Sequence, residues 1–263
     1  LNPYRIMIVR FDSMLNVISY KEVLDTIPAN DGYFFDNSFQ LRSGNEYIII
    51  GSQTGGGETV FRMDSAANIQ WRTTFSYPFF SYTSIDNIML QDSSIVMAGY
   101  RLSGGGWRPV IRRVGTFGQV IYENEYAGLG FRRPQKIIDA FDGSMVFTSD
   151  LGNYQVGLTR VDYFGNIIKD TIITSQVAQG TEFISLLPDK NFLFVKRSSS
   201  PQIDVRKYIL DENFNNINYS LAHLHPIFGK LVYPTTEFRV NVDTSINVVG
   251  SSVIPAHAYF FEF

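Results

Sequence analysis

The chain has no cysteine, which excludes disulfides, thiolate metal sites and a cysteine nucleophile at once. It has no excess of basic residues either: 22 Lys plus Arg stand against 25 Asp plus Glu, a formal charge of -3. Nothing in that balance holds a polyanion, so nucleic acid is not an expected partner. No apolar run is long enough for a transmembrane segment, and no amphipathic helical run stands out. The chain opens at Leu1 with no Met, no charged segment and no apolar segment behind it. A signal sequence is thus absent from this chain and is expected to have been removed, which suggests an extracytoplasmic protein, periplasmic or at the cell surface.

What is present favours strands. Aromatic residues make up 15% of the 263 positions, with 22 Phe and 15 Tyr, and 44% are hydrophobic. This composition suits strands and fills the core of one large all-β domain. A hairpin landmark then recurs: VRFDSMLNVI, FRMDSAANIQW, RRVGTFGQVIY, TRVDYFGNIIK and YILDENFNNIN each lead a strand into a polar turn and out into a second strand. Asn16, Asn68, Gln119, Asn166 and Asn216 mark these turns, at spacings of 52, 51, 47 and 50. Two further strands joined by a tight turn precede four of the landmarks, as in NIMLQDSSIVMAG and KIIDAFDGSMVFTS, and another such pair lies near the C-terminus. Asp, Ser, Gly and Asn fill those turns because they tolerate or hydrogen-bond the tight backbone. The unit is four antiparallel strands, designated A to D.

Four strands per period of roughly 40 to 50 residues is the pattern of a β-propeller blade. The units resemble the degenerate propeller repeats of secreted and cell-envelope bacterial proteins; Asp162, Gly165 and Asn166, with Asp64, Asn68, Ile69 and Trp71, carry the likeness. The resemblance implies a fold shared by binding domains, scaffolds and some enzymes. Blades of quinone-dependent enzymes are similar but dock a Trp in most units, whereas only Trp71 and Trp107 exist here; no cofactor is expected. The expectation is a single domain over residues 1–263 with five blades, six being the alternative, closed by the N- and C-terminal strands. The glycine triplets Gly55 to Gly57 and Gly104 to Gly106 fall in B-to-C hairpins and lack the Lys-Ser/Thr of a phosphate loop.

Candidate sites follow from the topology. The D-to-A connections and B-to-C hairpins open on one face, which collects Phe34, Phe79, Phe80, Tyr100, Trp107, Arg108, Phe131 and Arg132. Aromatic and arginine side chains are enriched at interfaces, so this is the expected docking face for a protein partner, such as an outer-membrane or envelope transport assembly. The alternative is a carbohydrate-binding or glycoside-hydrolase-like propeller using Asp86, Glu182 and Glu237 at the starts of three A strands. No metal is expected: the Asp211, Asn213, Asn215 spacing lacks the distal Glu of a calcium loop, and His223 and His225 have only His257 to join them.

Overall fold

The computed structural model describes residues 5–11, 14–24, 33–40, 46–53, 57–66, 68–76, 83–103, 105–130, 132–140, 142–152, 155–174, 181–197, 203–224, 232–240, 246–252 and 258–262. The chain divides into two compact units, residues 1–131 and 132–263. In the first, β1 (Arg5–Phe11) and β2 (Val17–Leu24) form a hairpin. Two four-stranded sheets follow: β3 (Tyr33–Gln40), β4 (Glu46–Gln53), β5 (Gly57–Asp64) and β6 (Ile69–Ser76), then β7 (Thr83–Met89), β8 (Ile95–Ser103), β9 (Gly106–Val114) and β10 (Val120–Glu125). The second unit holds β11 (Arg133–Asp139), β12 (Met145–Gly152), β13 (Gln155–Val161) and β14 (Ile167–Thr174) as one sheet. Its next sheet is β15 (Thr181–Leu186), β16 (Phe192–Arg197), β17 (Ile203–Leu210) and β18 (Asn216–Leu224), and its last has three strands, β19 (Val232–Val240), β20 (Ile246–Ser252) and β21 (Ala258–Glu262). The architecture is all-β, with strands paired in chain order and antiparallel throughout the four-stranded blades.

Within each unit the A strands of successive sheets pack together: β7 on β3, β15 on β11, and β19 on β15. Sheets stacked about their first strands are propeller-type blades. Central strands are buried on both faces, as β13 is along nearly its whole length, because each sheet is sandwiched between neighbours. Ile48, Ile50 and Val60 of one sheet thus meet Ile95, Met97 and Val110 of the next in the first unit. In the second, Val146, Val156 and Leu158 meet Phe192, Phe194 and Tyr208. Each such side chain contributes about 1.5–3 kcal/mol on burial.

The C-to-D turns close by a side-chain clasp. Asp162 Oδ1 accepts from the backbone N–H of Phe164 at 2.9 Å and of Asn166 at 2.8 Å, and Oδ2 accepts from Asn166 Nδ2 at 2.9 Å. Asp64 and Asn68 repeat the arrangement. So do Asp211 and Asn215, which corrects the expected landmark: the fifth equivalent is Asn215, not Asn216. The registers agree, since Asn216 pairs with Leu210 as Ile167 pairs with Val161. Two adjacent asparagines hid the frame, and Phe214 takes the left-handed position (φ 62°) that Gly118 and Gly165 fill elsewhere. At Gly118 (φ 82°) a Cβ would also lie 2.5 Å from Thr73 Oγ1, so glycine is needed there twice over.

The third clasp is altered. Gly115 stands where the aspartate would be, and Gln119 Oε1 accepts from Phe117 N–H at 3.2 Å instead; a Cβ on Gly115 would meet the Gln119 amide at 2.3 Å. Gly115→Asp with Gln119→Asn should therefore restore the clasp and stabilise the protein by about 1 kcal/mol. Burial pushes the Asp162 carboxyl up, but the Asn166 donors outweigh it and hold its pKa below the ordinary 3.8. A carboxyl depressed on folding stabilises above its unfolded pKa and loses that contribution as pH falls through the lower folded value. Thermal melts of the double variant should show the gain at pH 7 and lose it as the pH falls below the ordinary aspartate range. An equal gain at both would trace it to lost glycine freedom alone.

Neighbouring blades are tied by arginines two residues before these turns. Arg62 Nη2 donates to Glu46 of its own sheet at 2.6 Å and Nη1 to the Thr116 carbonyl of the next sheet at 2.7 Å. Arg160 donates to Asp142 at 2.7 Å and to the Glu212 carbonyl at 3.3 Å, the same turn position one sheet on. Trp71 Nε1 adds a second donor to Thr116 at 2.9 Å.

Candidate functional site

The β8–β9 hairpin brings three of the expected docking residues together. Tyr100 and Trp107 meet edge to face with centroids 4.6 Å apart. Cross-strand register sets Leu102 opposite Trp107 and Arg101 opposite Arg108. Tyr100 is buried, Trp107 and Arg108 are half-buried and Leu102 is exposed. Arg132 is buried, and both its Nη atoms donate to Asp170, at 2.6 and 2.9 Å. It passes over Gly157, where a Cβ would stand 2.8 Å from Nη1, and so braces the start of its sheet against the D strand. Phe34 lies in β3 with its side chain outside the described residues; Phe79, Phe80 and Phe131 lie outside them altogether.

The three carboxylates are not equivalent. Every full A strand has a register irregularity, between Phe35 and Asn37, Ser84 and Asp86, Pro134 and Lys136, Thr181 and Phe183, and Tyr233 and Glu237. Asp86 and Glu237 take the first paired position after it, opposite Ala98 and Val249. Glu182 is the bypassed residue. The Asp86 side chain is half-buried, and those of Glu182 and Glu237 are outside the described residues. Among the described residues no three His, Cys, Asp or Glu side chains group as a metal site, and the Asp211 carboxylate is occupied by its turn.

A charged ladder runs from the space between the first two full blades to this hairpin. Glu58 of β5 and Arg112 of β9 have side chains 0% and 1% exposed, with Arg112 Nη1 3.7 Å from Glu58 Oε2. Arg112 Nε donates to Glu123 Oε2 at 2.8 Å and Nη2 donates to the same oxygen; its guanidinium sits 4.0 Å over the Phe75 ring. Arg101 donates to Glu123 and, at 3.4 Å, to Glu125, whose other oxygen accepts from Arg108 at 3.3 Å. The signs alternate without a break. Burial pushes the Glu123 carboxyl up, but Arg112 and Arg101 more than offset it and hold it below the ordinary glutamate value.

Sequence reasoning missed this ladder. The signal was Glu58, an acid interrupting the apolar strand after the first glycine triplet, but Arg112 beside it comes from β9, some fifty residues away. Exposed apolar side chains that sequence spacing did not single out include Phe117, Val120 and Ile121 in the first unit and Phe164, Ile167 and Ile168 in the second, each set on a C-to-D turn and its D strand. Ile121 and Ile168 are each bypassed in the D-strand register, a bulge that displaces them from the ladder of the sheet.

No family model and no curated protein matches the chain. Among solved structures, the periplasmic gluconolactonase of Pseudomonas aeruginosa is similar with a TM-score of 0.59 and 12% identity, over 96% of this chain and 76% of that one. An ACO/RPE65 chimera is similar at 0.50 and 13% identity, over 97% and 67%. A Bacteroides caccae protein of unknown function is similar at 0.49 and 9%, over 82% and 72%. At such identities the matches at 0.59 and 0.50 show a common propeller-type fold alone, which enzymes and other proteins share. No helix among the described residues is long and apolar enough to cross a membrane, a statement about helices only.

Proposed function

We propose that the chain is a non-catalytic propeller module, one domain over residues 1–263, that docks a protein partner outside the cytoplasm. The β8–β9 hairpin carries this reading: Trp107 rests against Tyr100 beside Arg101, Arg108 and exposed Leu102, and Trp, Tyr and Arg supply most interface hot spots. A companion from an envelope transport or secretion assembly fits the resemblance of the repeats. The protein recovered from its native envelope should bring that companion with it. Trp107→Ala should then weaken the complex by about 2 kcal/mol, roughly thirtyfold, with the melting temperature nearly unchanged. A variant that melts early yet binds normally once folded would assign Trp107 to packing and defeat the reading.

A second reading is favoured by the shared register of Asp86 and Glu237: a carbohydrate-binding or glycoside-hydrolase-like propeller. Saturable oligosaccharide binding abolished by Asp86→Asn would support it over protein docking.

A further inference from the structure

The charged ladder departs from the repeat. Counted from the turn, the Glu58 position is Pro109, Val156 and Val205 in the other full blades, and the Arg112 position is Phe61, Thr159 and Tyr208. Arg101 and Arg108 have no basic counterparts either; Leu151 and Gln155 hold their places in the β11–β14 blade. The two full blades β11–β14 and β15–β18 therefore fold without either end of such a ladder. Stability is a poor reason for keeping it, since desolvating buried charges offsets most of their attraction.

Its outer end has a second peculiarity. Arg101 and Arg108 face each other directly across the hairpin, an arrangement of like charges that costs stability. One carboxylate, Glu125, serves both, at 3.4 and 3.3 Å, beyond the usual 2.7–2.9 Å of charge-assisted bonds. Both arginines are about one-third exposed, with side-chain values of 30% and 29%. Inward, Arg112 fixes Glu123 and Glu123 fixes Arg101, so Arg101 is held in place from behind.

We propose that Arg101 and Arg108, paired on one face of the hairpin, receive a carboxylate from an acidic segment of the partner, which displaces or joins Glu125; Trp107, next to Arg108 on the opposite face, reports the contact. This rests on the docking reading and names the chemistry of the partner.

The test uses two capped synthetic hexapeptides, Gly-Glu-Leu-Glu-Phe-Gly and its counterpart with both Glu replaced by Gln, titrated into the whole chain while the indole N–H resonances of Trp71 and Trp107 are followed. The acidic peptide should shift the Trp107 signal saturably and leave Trp71 in place, and rising salt should weaken it. Arg108→Gln should lower its affinity about tenfold, with an unchanged melting curve. Glu125→Gln should raise affinity several-fold by removing the internal competitor, a gain that a purely structural role for Glu125 does not produce. Equal shifts with both peptides would overturn the acidic-segment proposal but leave docking at the hairpin standing. No shift from the acidic peptide, or weaker binding in Glu125→Gln, would overturn the proposal outright. The docking reading is judged separately, by the Trp107→Ala complex.

Discussion

Replacing Arg112 by alanine should destabilise the protein by about 3–5 kcal/mol, the scale observed when one member of a buried ion pair is removed. Glu58 is fully buried, and without the guanidinium its carboxylate loses the cation beside it in a low-dielectric space between blades. Glu123 also loses two donors from the same side chain. Urea unfolding should register the loss as a lower midpoint at unchanged slope. Replacing both Glu58 and Arg112 by leucine should recover most of it, because an apolar pair of similar size avoids the desolvation of both charges. A cost below about 1 kcal/mol for the single alanine variant would mean that Glu58 is compensated elsewhere.

Phe214→Gly sets two effects against each other. Phe214 has φ 62°, and glycine would relieve about 1–2 kcal/mol of left-handed strain. But the ring is 4% exposed, within the core of the β11–β14 and β15–β18 blades, 5.5 Å from the Phe192 ring. Losing a buried Phe side chain costs about 3–5 kcal/mol. Packing wins, so the variant should be destabilised by about 1–4 kcal/mol. A stabilised variant would show that strain dominates at this turn.

These two residues also show what was legible in the sequence. The four-strand unit could be read because turn chemistry is local: Asp64 with Asn68, or Asp162 with Asn166, close within five residues and announce themselves. The sequence pattern frames the fifth turn one residue late because Phe214 stands where Gly165 signals the left-handed position in its counterpart; tertiary packing overrides the local rule. The hairpin pairing Tyr100, Trp107 and Arg108 was legible for the same local reason, since Gly105 (φ 88°) stands at the short reversal between β8 and β9. Arg132 could be seen as a residue but not as a brace, because Asp170 lies 38 positions away. The Glu58 to Arg108 ladder joins strands of two blades, and sequence spacing says nothing about which charges meet across such a gap.

Hydrogen exchange on the protein recovered from its native envelope, compared with the same protein stripped of its companions, tests the docking account most directly. Backbone amides of 100–108 should exchange more slowly in the companion-bound form, with the effect lost in Trp107→Ala. Identical exchange of that hairpin in both forms, with protection confined to other strands or absent, would contradict it.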